Sequence, residues 1–161
     1  MAGVDDRRYD VKDILDRATY GWVAPPTKPT LVVEEVDNPR GAYIGRDIQT
    51  PTNGVIYIKK DYSFDRRKHS EYVETRVWSF PVMLIAQSHI LLQGLFDQAR
   101  ETFDRYTQPS ANTPFSTSTL GTSTTYTYAG IEKGSVDDRH SKYIMDCIVY
   151  LKESFVDVKV A

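Results

Sequence analysis

The feature that most constrains the fold is a change of residue periodicity at Pro81. Residues 72–80 alternate in character with a period of two, which predicts a β-strand. From residue 82 to residue 106, apolar side chains recur every three or four positions, so this segment of 25 residues is predicted to form one long helix. Proline has a fixed φ that suits the first turn of a helix, and we therefore expect the strand to end and the helix to begin at Pro81.

A second, shorter helix is predicted near the start of the chain. Residues 9–20 carry an apolar stripe at helical spacing. Asp10 is a candidate cap for the first turn, and Gly21 stands where a helix commonly ends. The three prolines between residues 25 and 29 then predict an extended connector.

Four further segments rich in β-branched and aromatic residues are predicted to be strands, at 30–36, 55–58, 143–151 and 155–160. The Asn53-Gly54 pair directly before the second of them is a typical hairpin signal. Residues 42–51 are compatible with a short strand or with an irregular loop, and residues 130–134 are predicted to form a turn.

Residues 107–125 consist largely of Thr, Ser, Pro and Asn, and hold too few large apolar side chains to become ordered by burial. We expect a projecting flexible loop or a hairpin arm there. The chain length of 161 residues suits one domain. The order of the other elements predicts a single α+β domain over residues 1–161, in which a short N-terminal helix and one long central helix pack on a mostly antiparallel sheet.

Composition argues against several classes of function. Lys and Arg number 20 against 22 Asp and Glu, and the resulting net charge of −2 is unlike the basic excess of a dedicated nucleic-acid binder. No apolar run approaches the ~20 residues of a membrane-spanning helix, so no membrane association is expected. Residues 1–8 are too polar for a secretory signal. A single cysteine, Cys147, excludes an internal disulfide and a multi-thiolate metal site.

The sequence carries no motif typical of a catalytic, cofactor or metal site. His69, His89 and His140 lack the close spacing of metal ligands, and neither a nucleophile elbow nor a Gly-rich phosphate loop occurs. Asp137 and Asp138 could bind a divalent cation, but adjacent residues on an extended chain point in opposite directions. The residues therefore predict a solvated turn at this position and no enzymatic activity, cofactor or metal.

The charged and aromatic residues expected at the surface are more informative about function than the motifs are. Basic residues at 59–60 and 66–69 alternate with aromatic residues, while Asp61 and Asp65 reduce the net positive field. This mixture favours a protein interface at least as much as contact with phosphates. Tyrosine is also in excess, with 11 Tyr against 6 Phe and 2 Trp, as in partly polar contact surfaces. The candidate interface residues are Tyr57, Lys59, Lys60, Tyr62, Phe64, Arg66, Arg67, Tyr126, Tyr128, Asp137, Asp138 and Arg139.

The order of the elements resembles that of the tail-terminator (tail-completion) proteins of long-tailed phages. In particular, a strand that runs directly into a long amphipathic helix resembles that family. The resemblance covers residues 9–158 and is one of pattern rather than of a diagnostic motif. The segments that carry it are the helix at 11–18, the strand 55–58, Tyr72-Val73-Glu74-Thr75-Arg76-Val77-Trp78, the helix at 84–106, Asp137-Asp138-Arg139 and Tyr143-Ile144-Met145-Asp146-Cys147-Ile148-Val149-Tyr150.

The resemblance implies a structural virion protein that assembles in the host cytoplasm. In that family, a strand pair after the long helix completes a sheet on which both helices pack, and the same is expected here. Copies form a ring, typically a hexamer, between the tail tube and the neck, where the ring stops tube growth and docks the connector. The expected partners are further copies of the chain, the tail tube protein and the neck connector protein. DNA passes through the channel without sequence-specific binding.

Three alternatives stay open. Another neck protein, such as a connector or a sheath-capping protein, shares the same sequence features. A metal-dependent nuclease or small phosphoryl-transfer enzyme would use Asp137, Asp138 and a lysine. The third alternative is an α+β binding domain of a host protein, whose copies do not form a ring. The segment 107–125 is longer than the resemblance implies, and could reach a neighbouring subunit.

Overall fold

The computed structural model describes residues 6–17, 28–70, 73–106, 116–117, 124–126 and 128–156. The helices within these ranges are α1 (Arg8–Arg17), α2 (Arg40–Ile44) and α3 (His89–Tyr106). The strands are β1 (Thr30–Val33), β2 (Val55–Ile58), β3 (Ser63–Lys68), β4 (Val73–Ala86), β5 (Ser116–Thr117), β6 (Thr124–Thr125), β7 (Tyr128–Arg139) and β8 (Lys142–Val156). The predicted α+β class is confirmed. None of the described helices has the length and apolar character needed to cross a bilayer.

Six strands form one mixed sheet. Its order is β1-β2-β4-β8-β7, and β3 also pairs with β4. β1 and β2 run parallel, whereas the other strand pairs are antiparallel. β4 and β8 pair along the whole of β4, from Val73 opposite Val156 to Ala86 opposite Tyr143. One edge of β4 is thus occupied by β8, and the other edge is shared between β3 and β2.

The predicted boundary at Pro81 is wrong. β4 continues through Pro81, and α3 begins only at His89. β3 pairs with β4 up to Ser79 and β2 pairs from Val82, so Pro81 lies in the gap between these two partners. The Pro81 carbonyl faces that gap and accepts a hydrogen bond from Lys59 N. Because the N–H and C=O of a strand residue point to the same side, the proline removes no hydrogen bond to β8.

The turn predicted at residues 130–134 is also wrong. These residues lie within β7, which carries an irregularity of register between Lys133 and Val136. The chain reverses instead at His140 and Ser141, whose φ angles are 51° and 64°. Positive φ at both central residues is the pattern of a type I′ turn, and its twist matches that of the flanking strands β7 and β8.

The Asn53-Gly54 pair does not form a hairpin. Gly54 has a φ of 85°, and its N–H donates to the carbonyl of Pro51. The strand that follows, β2, pairs in parallel with β1 and antiparallel with β4, so neither neighbour is joined to it by this turn. Residues 42–51, which were compatible with a strand or a loop, contain the end of α2 and a bent segment after it.

The start of α1 differs from the prediction. Asp6, rather than Asp10, accepts a hydrogen bond from Arg8 N at the start of the helix, with a distance of 3.1 Å from Asp6 Oδ1. Residues 18–21, which include the predicted end of the helix, lie outside the described residues.

The structure describes only part of the predicted arm and of the closing strands. Within 107–125, only 116–117 and 124–125 are described, as the paired strands β5 and β6, and the arm stays a prediction. The two predicted closing strands are one strand, β8, as far as residue 156.

The side chains of β4 alternate between two apolar clusters. Phe80, Val82 and Leu84 join a cluster that contains residues of α1 and α3. Met83 and Ile85 join a second cluster, on the opposite face, against which residues of α2 pack. The rest of this second face is open, since Ile148 of β8 is 39% exposed and Tyr128 of β7 is 43% exposed.

Candidate interaction surfaces

The predicted basic and aromatic segment forms β3 and the loop before it. The Tyr62 ring lies 5.3 Å from the ring of Phe80, and the Phe64 ring lies 4.3 Å from that of Trp78. These contacts attach the segment to the helix-bearing face of β4. Phe64 nevertheless stays 43% exposed. We call Tyr62, Phe64, Arg66 and Arg67 the β3 patch.

The charges of the β3 patch are largely neutralised within the chain. Arg66 binds Glu74 through two hydrogen bonds, of 2.8 and 3.1 Å, and Arg76 Nε donates to the same carboxylate at 2.6 Å. Hydrogen bonds from Arg66 and then Arg76 lower the pKa of Glu74 to about 2. Arg67 pairs with Asp65 at 3.2 Å. The patch therefore presents paired charges rather than a bare positive field.

The two lysines before the patch differ. Lys59 Nζ lies 3.1 Å from Asp146 Oδ1, which ties the end of β2 to β8. Lys60 is exposed, and its backbone N–H donates to the carboxylate of Glu34 at 3.0 Å. Glu34 also pairs with Arg40. Of these two lysines, Lys60 alone has an exposed side chain, as a contact residue requires.

Two of the tyrosines predicted for an interface are core residues instead. Tyr57 and Tyr126 are buried, so their side chains cannot form a surface, and this part of the prediction is wrong. Tyr57 packs against Tyr43, and its hydroxyl donates to the carbonyl of Asn38 at 2.7 Å. A tyrosine can fill a core where its hydroxyl finds an acceptor. Tyr128 does remain half-exposed, with Lys152 Nζ 5.0 Å from its ring centroid.

Tyr126 belongs to a group of polar side chains that we call the Arg7 network, in which Asp10, Tyr126 and Glu153 are buried and Arg7 and Trp78 are partly buried. The Tyr126 hydroxyl donates to the Asp10 carboxylate and accepts from Arg7 Nη1 at 3.1 Å. Arg7 Nη1 also lies 3.2 Å from Glu153 Oε1, which accepts a 2.7 Å hydrogen bond from Trp78 Nε1. Burial and the Asp10 carboxylate raise the pKa of Tyr126. The network ties α1 to β4 and β8.

The predicted cluster Asp137, Asp138 and Arg139 is exposed at the end of β7. Arg139 Nε lies 2.9 Å from the Asp137 carboxylate, which also accepts a hydrogen bond from Asp138 N. Asp137 stands opposite Ile144 and Asp138 opposite Tyr143, so the two carboxylates project from opposite faces of the sheet. Within the described ranges, no group of three His, Cys, Asp or Glu side chains is arranged to hold a metal ion.

The histidines and the cysteine lie in separate surroundings. His69 contacts Thr75 at 2.8 Å, the His89 ring packs on Tyr143, and His140 Nδ1 accepts a hydrogen bond from Arg46. Burial raises the pKa of the Cys147 thiol to about 11, so the thiol is protonated at neutral pH.

An open cleft of about 570 Å³ lies at the end of the sheet where β7 and β8 meet. It is formed by the segment after α2, the residue after β4 and the turn between β7 and β8. We call it the turn cleft, and its lining residues are Arg46, Ile48, Gln49, Thr50, Gln87, His140, Ser141 and Lys142. The sequence did not point to it, because these residues come from three distant segments and none of those segments contains a recognisable motif.

No protein-family model matches the sequence, and no curated protein matches it either.

Proposed function

We propose that this chain is a structural virion protein that forms a ring, a hexamer by the resemblance, at the end of a viral tail tube. The ring stops growth of the tube and joins it to the head–neck connector. Its partners are further copies of the chain, the tail tube protein and the connector protein, and it assembles in the host cytoplasm.

The observation that carries this proposal is the arrangement of elements around β4. β7 and β8 follow α3 in sequence, and β8 pairs along the whole of β4. Residues of α1 and α3 share one apolar cluster with the sheet. The tail-terminator resemblance implies this arrangement, in which a strand pair after the long helix completes the sheet that carries both helices.

A ring also needs two different surfaces on each copy, because successive subunits meet head to tail. β7 forms one edge of the sheet, and β1 and β3 border its other side. The β3 patch and the cluster 137–139 thus lie at opposite edges. Residues 63–68 and 132–139 are exposed throughout, so both groups are accessible to a neighbouring copy.

The charge of the chain is compatible with a channel for DNA. Strong binding to DNA would require many Lys and Arg contacts with phosphates. The net charge of −2, and the internal pairing of Arg66 and Arg67, leave little positive field to retain a passing duplex.

The test is assembly of the purified chain with and without purified tail tubes, followed by native mass spectrometry and negative-stain electron microscopy. We expect rings, and tubes closed at one end. Binding to purified connectors or to sheath, but not to tubes, would indicate another neck role. A chain that is monomeric and also fails to bind tubes would contradict the proposal.

Arg67→Glu tests the β3 patch, with Arg100→Glu as the matched control. Both arginines are exposed and each pairs with one carboxylate, Asp65 at 3.2 Å and Asp97 at 3.5 Å. We expect only Arg67→Glu to reduce ring formation and tube binding, while the circular dichroism of both variants stays native. Equal assembly of the two variants would exclude Arg67 from the contact between subunits.

A further inference from the structure

The turn cleft contains an arginine whose environment is unlike that of the others. Of the arginines whose side chains the structure describes, all but Arg46 form an ion pair with a carboxylate. The paired ones are Arg7, Arg8, Arg40, Arg66, Arg67, Arg76, Arg100 and Arg139. Arg46 instead donates its Nε–H to His140 Nδ1 at 2.9 Å. Its two Nη groups make no hydrogen bond within the described part of the chain.

A second cation lines the same cleft. Lys142 is only 5% exposed, and its Nζ donates to the backbone carbonyls of Tyr43 at 2.7 Å and Ile48 at 2.5 Å. An ammonium group has three N–H donors, so one is left over. No carboxylate of the described residues forms an ion pair with Lys142. Burial accordingly lowers the pKa of Lys142, and the charge of the exposed Asp47 offsets that effect only in part.

The floor of the cleft has an unsatisfied hydroxyl. Thr50 is 6% exposed, and its Oγ1 is buried without a hydrogen-bond partner. Its backbone carbonyl, in contrast, accepts a 2.8 Å hydrogen bond from Gln87 Nε2, which fixes the position of the residue. Buried hydroxyls are normally paired, so an unpaired one in the lining of the cleft that also holds the two cations indicates a missing acceptor.

The rim of the cleft is held in an uncommon conformation. His140 and Ser141 both have positive φ, although neither is glycine. Positive φ at both positions is the pattern of the type I′ turn that joins β7 and β8, so the hairpin itself sets the shape of the rim. This turn positions His140 Nδ1 against Arg46 Nε, and so fixes the guanidinium at the mouth of the cleft.

We propose that the turn cleft binds a compact anionic ligand through a carboxylate or phosphate group, held by the Nη groups of Arg46, the remaining N–H of Lys142 and the hydroxyl of Thr50. The guanidinium fork suits a two-point contact with either oxyanion. The ligand neutralises the two cations and supplies the acceptor that Thr50 lacks. The site does not depend on ring formation, because all of its residues come from one copy.

Isothermal titration calorimetry tests the proposal on the purified full chain, with inorganic phosphate in one arm and acetate in the other. Sodium chloride at matched ionic strength gives the background. Hydrogen–deuterium exchange then locates the site, with slower exchange expected at residues 46–50 and 140–142. Tighter binding of phosphate would indicate a phosphorylated ligand, and comparable or tighter binding of acetate a carboxylate ligand.

Arg46→Gln should weaken binding by about tenfold or more, which corresponds to the loss of one charge-assisted hydrogen bond. Thr50→Val should weaken it less, and Arg100→Gln should leave it unchanged. Circular dichroism checks that each variant is folded. The proposal is overturned if neither anion binds above the chloride background, or if Arg46→Gln binds as the unaltered chain does.

Discussion

Near the start of β4, buried carboxylates are neutralised by arginines, whereas near its end two cations line an open cleft whose lining holds no carboxylate. At the first end, Arg66 and Arg76 flank Glu74, which is 1% exposed, and Arg7 lies beside Glu153. At the second end, Arg46 contacts a histidine nitrogen and Lys142 contacts backbone carbonyls. Both ends carry charged side chains, but only at the first end does each positive charge lie beside a carboxylate.

This difference separates structural charge from charge that is available to a ligand. Breaking a buried ion pair is strongly destabilising, because the remaining charge stays buried without a partner. The pairs at the first end of β4 therefore hold α1, β3 and β8 in place. Arg46 is exposed and forms no ion pair within the described chain, so its replacement should affect binding more than folding.

The largest effect should come from breaking the Arg7 network. Glu153→Ala leaves Arg7 without its carboxylate and Trp78 Nε1 without its acceptor, and should lower the free energy of unfolding by about 3 kcal/mol. Arg46→Ala, at the cleft, should change it by less than about 0.5 kcal/mol. Urea unfolding followed by circular dichroism, at one protein concentration, measures both. Equal losses in the two variants would remove the distinction between the two ends.

Acid should weaken the first end of β4 through Glu74. Its pKa is about 2 in the folded chain against an ordinary 4.5. The stabilisation by its arginine pairs is therefore complete above pH 4.5 and is lost as the pH falls from 4.5 towards 2. Glu74→Gln should be less stable than the native chain at neutral pH, and its urea midpoint should approach the native one on acidification. An offset that stays constant across this window would contradict the assignment.

A small gain of stability is expected at the turn cleft. Ser141 has a φ of 64°, which glycine adopts without the steric cost of a Cβ atom. Ser141→Gly should therefore raise the free energy of unfolding by about 0.5–1 kcal/mol. Ser79→Gly in β4, a strand position, should lower it by a similar amount. Thermal unfolding compares the two, and a loss in both variants would show that the turn is not strained.

The elements that could be predicted from the sequence are those whose pattern is local. The α+β class and the strands at 55–58 and 143–151 follow from β-branched and aromatic runs. The start of α3 could not be predicted, because residues 82–86 are apolar at every position and such a run suits a buried strand or a helix. Residues 82–86 form a strand because they pair with β2 and β8, and both of these partners are distant in sequence.

The surfaces were harder to predict than the elements. Tyr57 and Tyr126 have the composition of contact residues, yet they are buried because Asn38 and Asp10 supply acceptors for their hydroxyls. Arg46 and His140 are 94 positions apart along the chain, so no motif could have joined them. The β3 patch and the residues 137–139 are accessible, and their role in contacts between subunits stays a prediction.

The long pairing of β4 with β8 also affects how the chain reaches its fold. Partners in this pair are separated by 57 residues at Ala86–Tyr143 and by 83 residues at Val73–Val156. Folding rates fall as contacts become less local, so this sheet should close slowly. During synthesis, the edge of β4 that pairs with β8 stays unpaired until β8 has been made. Pro81 interrupts hydrogen bonding only on the opposite edge. The proline leaves the edge that pairs with β8 unaltered, so until β8 has been made that edge is open to pairing with another chain.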